Sequence, residues 1–144
     1  MAERTIREII EDQELLTAAA GMTVAEAARL MKKRNVGAMM VVDDGKLVGV
    51  FTERDALFRV VAAGLDGATT PLSAVMTPDP RTISPDRSFT HALGFMHEGK
   101  FRHLPVVEDG RPVGMISVRD AFGPELEAFV YELLRQEQVS QILA

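Results

Sequence analysis

Two stretches of the sequence share a glycine, two apolar residues, a serine or threonine and, three positions later, an aspartate; they are residues 49–55 and 114–120. A hydroxyl residue where a strand passes into a helix lies beside backbone N–H groups at the positive end of the helix dipole. Thr52 and Ser117 are therefore candidates for binding a phosphate group. The carboxylates of Asp55 and Asp120 can accept charge-assisted hydrogen bonds from two neighbouring hydroxyl groups. The chemistry that these residues support is recognition of a phosphorylated sugar.

The same pattern also has a purely structural explanation. Thr-x-x-Asp and Ser-x-x-Asp form a helix-capping arrangement without any ligand, and a single occurrence would favour the cap. The sequence has two occurrences, and an arginine, Arg54 or Arg119, directly precedes each aspartate. We therefore predict that both motifs cap a helix and also contribute to a ligand site.

The two motifs belong to an internal duplication. An offset of 65 aligns residues 17–55 with residues 82–120 without a gap, and eleven of the 39 pairs are identical. Each copy predicts the order β-α-β-β-α: helices capped by Thr23 or Ser88, and hairpins closed by Asp-Gly turns. The predicted strands are residues 15–18, 38–42 and 46–51 in copy one and residues 81–84, 103–107 and 111–116 in copy two. Two such units should pack around a pseudo-twofold axis.

The pattern predicts one α/β (α+β) domain with helical flanks. An N-terminal helix, repeat 1, a linker, repeat 2 and a C-terminal helix are assigned to residues 1–13, 14–64, 65–75, 76–122 and 123–144. The C-terminal helix carries an apolar stripe of Leu126, Phe129, Val130, Leu133 and Leu134. That stripe either covers its own domain or forms a subunit interface, and the sequence leaves both open.

The duplicated motif resembles the signature of the cystathionine beta-synthase (CBS) domain. Two further stretches are similar to the same family, namely Val75-Met76-Thr77-Pro78 and Phe101-Arg102-His103-Leu104-Pro105-Val106-Val107. The resemblance covers about residues 14–122 and implies tandem CBS repeats packed as a pseudo-twofold pair, called a Bateman module. It further implies a non-catalytic regulatory binder of AMP, ADP or ATP, with S-adenosylmethionine or NAD also possible and no required cofactor. Asp55 and Asp120 would then hold ribose hydroxyls.

The two copies differ where the resemblance implies an adenine pocket. Copy two has Arg102 and His103 where copy one has Gly37 and Ala38. Only copy two therefore offers a guanidinium for phosphate and an imidazole for hydrogen bonding or stacking, which predicts a tighter site at Asp120. The resemblance adds Thr82 and Ile83: the main chain of Ile83 would bond adenine, although Ile83 equally fits a core strand.

Composition limits the remaining function classes. The net charge of −5 and the absence of a long Lys/Arg run make nucleic-acid binding unfavourable. The chain has no cysteine, no nucleophile elbow, no phosphate loop and no metal-binding helix motif, so an enzyme is not expected. With no secretory signal and no apolar span, we expect a cytoplasmic protein without a membrane partner. A homodimer that signals to an unidentified regulated protein follows from the family analogy, and a protein–protein adaptor without a small ligand is the alternative.

Overall fold

A computed structural model describes residues 4–143, without the side chains of residues 122 and 124–127. The helices are α1 (Ile6–Ile10), α2 (Val24–Arg34), α3 (Glu53–Asp55), α4 (Leu72–Val75), α5 (Phe89–Gly99) and α6 (Pro124–Leu143). A π-helical segment (Ala56–Val61) continues α3, and a 3-10 helix (Val118–Phe122) precedes α6. The strands are β1 (Thr17–Ala19), β2 (Ala38–Asp43), β3 (Lys46–Thr52), β4 (Thr77–Pro78), β5 (His103–Glu108) and β6 (Arg111–Ser117).

The two halves repeat the same β architecture, which confirms the predicted mixed α/β fold. In copy one the sheet order is β1-β2-β3-β4, with β1 parallel to β2 and the other pairs antiparallel. In copy two β5 and β6 form the matching hairpin. Asp44 and Gly45 have φ of 51° and 75°, and Asp109 and Gly110 have φ of 54° and 79°. Positive φ at both central residues is the geometry that an Asp-Gly hairpin turn requires.

The predicted helix caps are also present in both copies. The hydroxyl of Thr23 accepts a hydrogen bond from the Glu26 N–H at 3.2 Å, and that of Ser88 accepts one from the His91 N–H at 3.3 Å. Each bond satisfies an N–H that the first helical turn leaves without a partner. The caps therefore fix where α2 and α5 begin.

One predicted strand is wrong in copy two. Residues 81–84 form only a single parallel bridge, between Ile83 and Val106. In copy one, Met40 belongs to the ladder between β1 and β2. Its counterpart in copy two is Pro105, and proline has no N–H to donate to a neighbouring strand. The loss of that donor explains why the strand shrinks to a bridge.

The N-terminal helix is part of the core rather than a separate flank. Ile6 and Ile10 of α1 are buried in the cluster of copy two. The short helix α4, which lies inside the predicted linker, buries Leu72 and Val75 in the cluster of copy one. Each copy is therefore closed by a helix that comes from outside its own predicted boundaries.

A side chain completes the edge of the second sheet. In copy one the backbone of β4 pairs with β3, and Thr77 lies opposite Val50. In copy two the Gln13 amide donates to the Met115 carbonyl at 2.7 Å and accepts from the Met115 N–H at 3.0 Å. Met115 is the counterpart of Val50 at the offset of 65. The primary amide thus replaces a peptide unit of the missing edge strand.

The C-terminal helix does not cover its own domain with the predicted stripe. The side chains of Phe129, Val130, Leu133 and Leu134 are exposed, at 45% to 58% of their full area. Leu126 lies outside the described side chains. The alternative in which this stripe packs against its own core is therefore wrong for these four residues. Among residues 4–143, no helix is long and apolar enough to cross a membrane.

Candidate functional site

A cavity of about 600 Å³ opens between the two copies. Copy one supplies the end of β3, α3 and the start of the π-helical segment, and copy two supplies the loop before β5 together with the chain that leaves β4. The polar and charged wall residues are Thr52, Glu53, Arg54, Asp55, Arg59, Thr77, Asp79, Arg81, Lys100, Arg102 and His103. Its volume falls in the range of about 300–1,000 Å³ that small-molecule sites occupy. We call it the Asp55 cavity.

Asp55 is the buried anion of this wall, with 8% of its surface exposed. Its Oδ2 accepts a hydrogen bond from the Thr52 N–H at 2.9 Å, and the Asp55 N–H donates to the Thr52 hydroxyl at 3.2 Å. Arg59 Nε lies 3.5 Å from Oδ1. The predicted cap is thus formed, and because each carboxylate oxygen has two lone pairs, the cap leaves capacity for a ligand.

The cap also changes the expected role of Thr52. Thr52 is predicted to contribute to phosphate binding, and its own backbone N–H is already bonded to Asp55. A phosphate in this cavity would therefore be held by side chains rather than by that N–H group. The prediction that Thr52 lines the site is retained, since its hydroxyl still has a hydrogen to donate.

The cavity is positively charged in an acidic protein. Five cationic side chains and three anionic ones line it, whereas the whole chain has a net charge of −5. Three of the cations are held in place: Arg54 stacks 5.5 Å from the Phe58 ring, Arg81 stacks 4.6 Å from the Phe95 ring, and Arg59 bonds the Val75 and Met76 carbonyls. Within residues 4–143, the charged ends of Lys100 and Arg102 make no hydrogen bond or ion pair. These two cations are available for an anion.

The loop that carries Lys100 and Arg102 is tightly built. Lys100 follows α5 with φ of 56°, and its N–H bonds back to the His97 and Met96 carbonyls. A Cβ on Gly99 would overlap the Phe101 ring, so only glycine lets that ring lie on the cavity wall. The backbone therefore places an aromatic residue between the two cationic residues along this part of the cavity wall.

The structure brings together five of the ten predicted site residues, and it groups them differently. Thr52, Arg54, Asp55, Arg102 and His103 share the Asp55 cavity. Arg102 and His103 thus line the Asp55 cavity, and their predicted role at the Asp120 site stays a prediction. Both residues also adjoin the helix start of their own copy, because the Arg102 carbonyl accepts a hydrogen bond from the Val118 N–H at 3.1 Å and His103 pairs with Ser117.

The remaining five lie elsewhere. Ser117 and Asp120 form the same cap as in copy one, with the Ser117 N–H donating to Asp120 Oδ2 at 2.8 Å. Arg119 and Thr82 are not on the wall of the Asp55 cavity. Arg4 donates to the Asp120 carbonyl at 2.7 Å, so the N-terminal segment lies against this helix start. A ligand role for Ser117, Arg119, Asp120 and Thr82 stays a prediction.

Of the two roles considered for the Ile83 side chain, the structure shows the one in the core. Its side chain is 3% exposed and belongs to the cluster of copy two. Its N–H donates to the Pro105 carbonyl at 3.0 Å, and its carbonyl accepts from the Val107 N–H at 2.9 Å. The N–H and the carbonyl of Ile83 are thus both bonded to the neighbouring strand, and its main-chain contact with adenine stays a prediction.

Sequence reasoning missed Arg59, Arg81 and Lys100. Arg59 had a usable signal, since it follows Asp55 at the i,i+4 spacing of a helical ion pair. Arg81 lies outside both motifs, and no spacing connects it with Asp55 in the sequence. Lys100 had a usable signal, since it ends α5 as Asn35 ends α2, with φ of 56° and 53°. A lysine where the other copy has a neutral left-handed residue indicates that charge is needed there.

The burial of His103 lowers the pKa of its imidazole. Desolvation is the largest cause; Glu53 and Asp120 oppose it, and Arg102 and Arg119 act with it. The folded protein therefore favours the neutral ring. The unfolded chain takes up a proton near the ordinary pKa of about 6.5, so this group costs stability as the pH falls below that value.

We expect His103→Gln to make the stability less dependent on pH. Between pH 7.5 and pH 5, the parent should lose more free energy of unfolding than the variant, because only the parent gains a proton on this imidazole when it unfolds and must release it on refolding. Urea unfolding at the two pH values measures the difference. His97→Gln, at an exposed histidine of α5, is the matched control and should behave as the parent. Equal pH dependence of His103→Gln and the parent would contradict the assignment.

The comparisons with known proteins identify this architecture. The family model described as "CBS domain" matches residues 6–62 and 72–123, which together make up most of the chain. The chain belongs to the CBS domain family. The CBS domain-containing protein YhcV of Bacillus subtilis is 38% identical over 107 residues, covering 74% of this chain and 76% of YhcV. The chain also matches CBS domain-containing proteins of Arabidopsis thaliana, of whose length it spans about a fifth.

Solved structures of CBS proteins share the fold. A putative signal-transduction protein with CBS domains from Burkholderia ambifaria has a TM-score of 0.76 and 30% identity, covering 81% of this chain and 90% of that one. The CBS domain pair of protein MJ0100 was solved in complex with 5′-methylthioadenosine and S-adenosyl-L-methionine. Its TM-score is 0.74 at 26% identity, covering 83% of this chain and 94% of that one. A CBS domain pair is a regulatory module, and the present chain contains one.

Proposed function

We propose that this CBS pair is a non-catalytic sensor that binds an adenosine nucleotide, AMP, ADP or ATP, in the Asp55 cavity. The observation that carries the proposal is the excess of positive charge in a cavity of an acidic protein, beside a buried carboxylate. Cations attract phosphate, and a fixed carboxylate accepts hydrogen bonds from the ribose diol. The adenosyl ligands of MJ0100 support an adenosine compound as the ligand class.

Each part of a nucleotide has a complementary surface in the cavity. Lys100 and Arg102 lack partners among the described residues and would hold phosphates. Asp55 would hold the ribose hydroxyls. The apolar wall residues Val50, Phe58, Pro80, Phe101 and Pro105 offer faces against which a base can pack.

The output of the sensor is proposed to be a change in protein association. Leu57, Phe58 and Val61 of the π-helical segment are exposed at 53% to 68%, as is the stripe of α6. Exposed apolar surfaces of this kind are typical of protein interfaces. Phe58 also lines the Asp55 cavity, so a bound nucleotide contacts the surface at which a homodimer or a regulated protein would pack. A coupling of about 1–3 kcal/mol is sufficient for such regulation.

We expect an adenosine nucleotide at millimolar concentration to raise the Tm of the protein by roughly 5–10 °C, since a ligand at 100 times its Kd adds about 2.7 kcal/mol. A thermal-shift panel of AMP, ADP, ATP, S-adenosylmethionine and NAD measures this effect. Asp55→Asn keeps an acceptor for the cap and should weaken binding about ten- to a hundredfold. Asp43→Asn, an exposed site at the end of β2, is the matched control. No shift with any adenosine compound would refute the proposal.

A further inference from the structure

The positive charge of the Asp55 cavity comes from positions at which the other copy is neutral. At the offset of 65, only Arg54 has a cationic counterpart, Arg119. The other four cationic residues of the cavity have neutral counterparts. Pro124 corresponds to Arg59, Leu16 to Arg81, Asn35 to Lys100 and Gly37 to Arg102. The duplication has therefore kept the two aspartates and changed the charge around them.

The counterpart positions carry as many anionic side chains as the cavity wall, namely three, but fewer cationic ones. We call the set of positions related to the cavity wall by the offset the Asp120 groove. In this set Asp12 is the counterpart of Thr77, and Glu14 is the counterpart of Asp79. With Asp120 they make three anionic positions against two cationic ones, Arg34 and Arg119.

One of these two cations is already neutralised. Arg34 Nη2 lies 3.2 Å from Glu14 Oε2 and also donates to the Glu14 carbonyl at 3.1 Å. In the Asp55 cavity, by contrast, Lys100 and Arg102 have no such partner among the described residues. Even with Arg4 beside the Asp120 carbonyl, the Asp120 groove therefore offers a phosphate chain less positive charge than the Asp55 cavity, where five cationic side chains face three anionic ones.

From this asymmetry we infer that the chain binds one nucleoside di- or triphosphate, in the Asp55 cavity alone, and that the Asp120 groove excludes polyphosphates although it keeps the aspartate motif. The inference rests on the proposed function and adds the ligand class and the stoichiometry. The charged phosphate chain, and not the aspartate motif, selects between the two clefts. Two equal motifs in the sequence thus correspond to one polyphosphate site.

Isothermal titration of the full chain with ATP, ADP, AMP and adenosine tests the inference. We expect one ATP per chain and an affinity that falls at least tenfold from ATP to adenosine. Asp55→Asn should weaken ATP binding tenfold or more, and its matched variant Asp120→Asn should leave ATP affinity within twofold of the parent. Unfolding curves without ligand show whether both variants are folded, since both amides retain an acceptor for the helix cap.

The outcomes separate this inference from the proposed function. Two ATP molecules per chain, equal losses in the two variants, or adenosine binding as tightly as ATP would overturn the inference while leaving an adenosine sensor in place. Failure of every adenosine compound to bind would instead overturn the proposed function. If the chain binds one ATP, and this binding is lost in Asp120→Asn but kept in Asp55→Asn, the site lies in the Asp120 groove. That result would also overturn the inference.

Discussion

The combined replacement of Lys100 by Asn and Arg102 by Gln is expected to weaken ATP binding by about a hundredfold or more. Each side chain loses a charge-assisted hydrogen bond to phosphate worth about 1.5–3 kcal/mol, and about 1.4 kcal/mol corresponds to a tenfold change in Kd. Neither charged group makes a hydrogen bond or ion pair within residues 4–143, so no contact inside the protein is lost. Asparagine at 100 copies Asn35, which has the same left-handed backbone in copy one.

The control for this variant removes the same charge elsewhere. Lys32 and Lys33 are exposed in the last turn of α2 and are not on the wall of the Asp55 cavity. Their joint replacement by Gln should change ATP affinity less than threefold. Titration calorimetry with ATP and adenosine measures both variants, and adenosine affinity should be unchanged in each. An equal loss of ATP affinity in the two variants would mean that the net charge, and not the cavity, attracts the nucleotide.

The second large effect concerns stability. Ile6→Ala is expected to lower the free energy of unfolding by about 2–5 kcal/mol, the range for truncating a buried isoleucine. Ile6 is fully buried, at 0% exposure, although it lies in the segment that the sequence analysis assigned to a flank. Its partners in the cluster of copy two include Phe89, Leu104 and Ile116.

Ile9→Ala provides the comparison on the same helix. Ile9 is only partly buried at the edge of that cluster, so its truncation should cost clearly less than that of Ile6. Urea unfolding measures both. If Ile6→Ala has the same free energy of unfolding as the parent, α1 does not contribute to the stability of the core. The prediction that residues 1–13 form a separate flank would then be correct.

The proposed homodimer would have a specific consequence for α6. Phe129, Val130, Leu133 and Leu134 form a stripe that is exposed to solvent in the single chain. In a subunit interface this stripe would be buried. Leu57, Phe58 and Val61 lie on the segment that continues α3 and would contribute to the same kind of surface. This arrangement would connect occupancy of the Asp55 cavity to assembly, because Phe58 belongs to both.

Local features of the fold could be predicted because their causes are local. The Asp-Gly dipeptides close both hairpins since only a short, flexible pair of residues accepts positive φ at both positions. Thr23 and Ser88 begin helices because their hydroxyls satisfy an N–H three residues on. Thr52 and Asp55 form the predicted cap for the same reason, and the confirmed membership of the CBS family follows from this repeated arrangement.

Prediction failed where a residue's role depends on a contact distant in sequence. Pro105 shortened a strand by lacking the N–H that its neighbour needed, and α1 packs in the cluster of copy two although it precedes copy one in the chain. The Gln13 amide bonds Met115, 102 positions away, in place of a peptide unit. Such pairs have no periodicity that a sequence pattern could reveal.

By itself the sequence determined the duplication, the order of the main helices and strands apart from the strand predicted at residues 81–84, and the two helix caps that carry the aspartates, because hydrogen bonds and apolar spacing within a few residues suffice for these. Only the tertiary structure decided that Arg102 and His103 face Asp55 and that Arg59, Arg81 and Lys100 join them. The physical reason is that the cavity lies between the copies, so its wall depends on how two apolar faces pack around the pseudo-twofold axis. Burial then sets the protonation of His103, which no local pattern encodes.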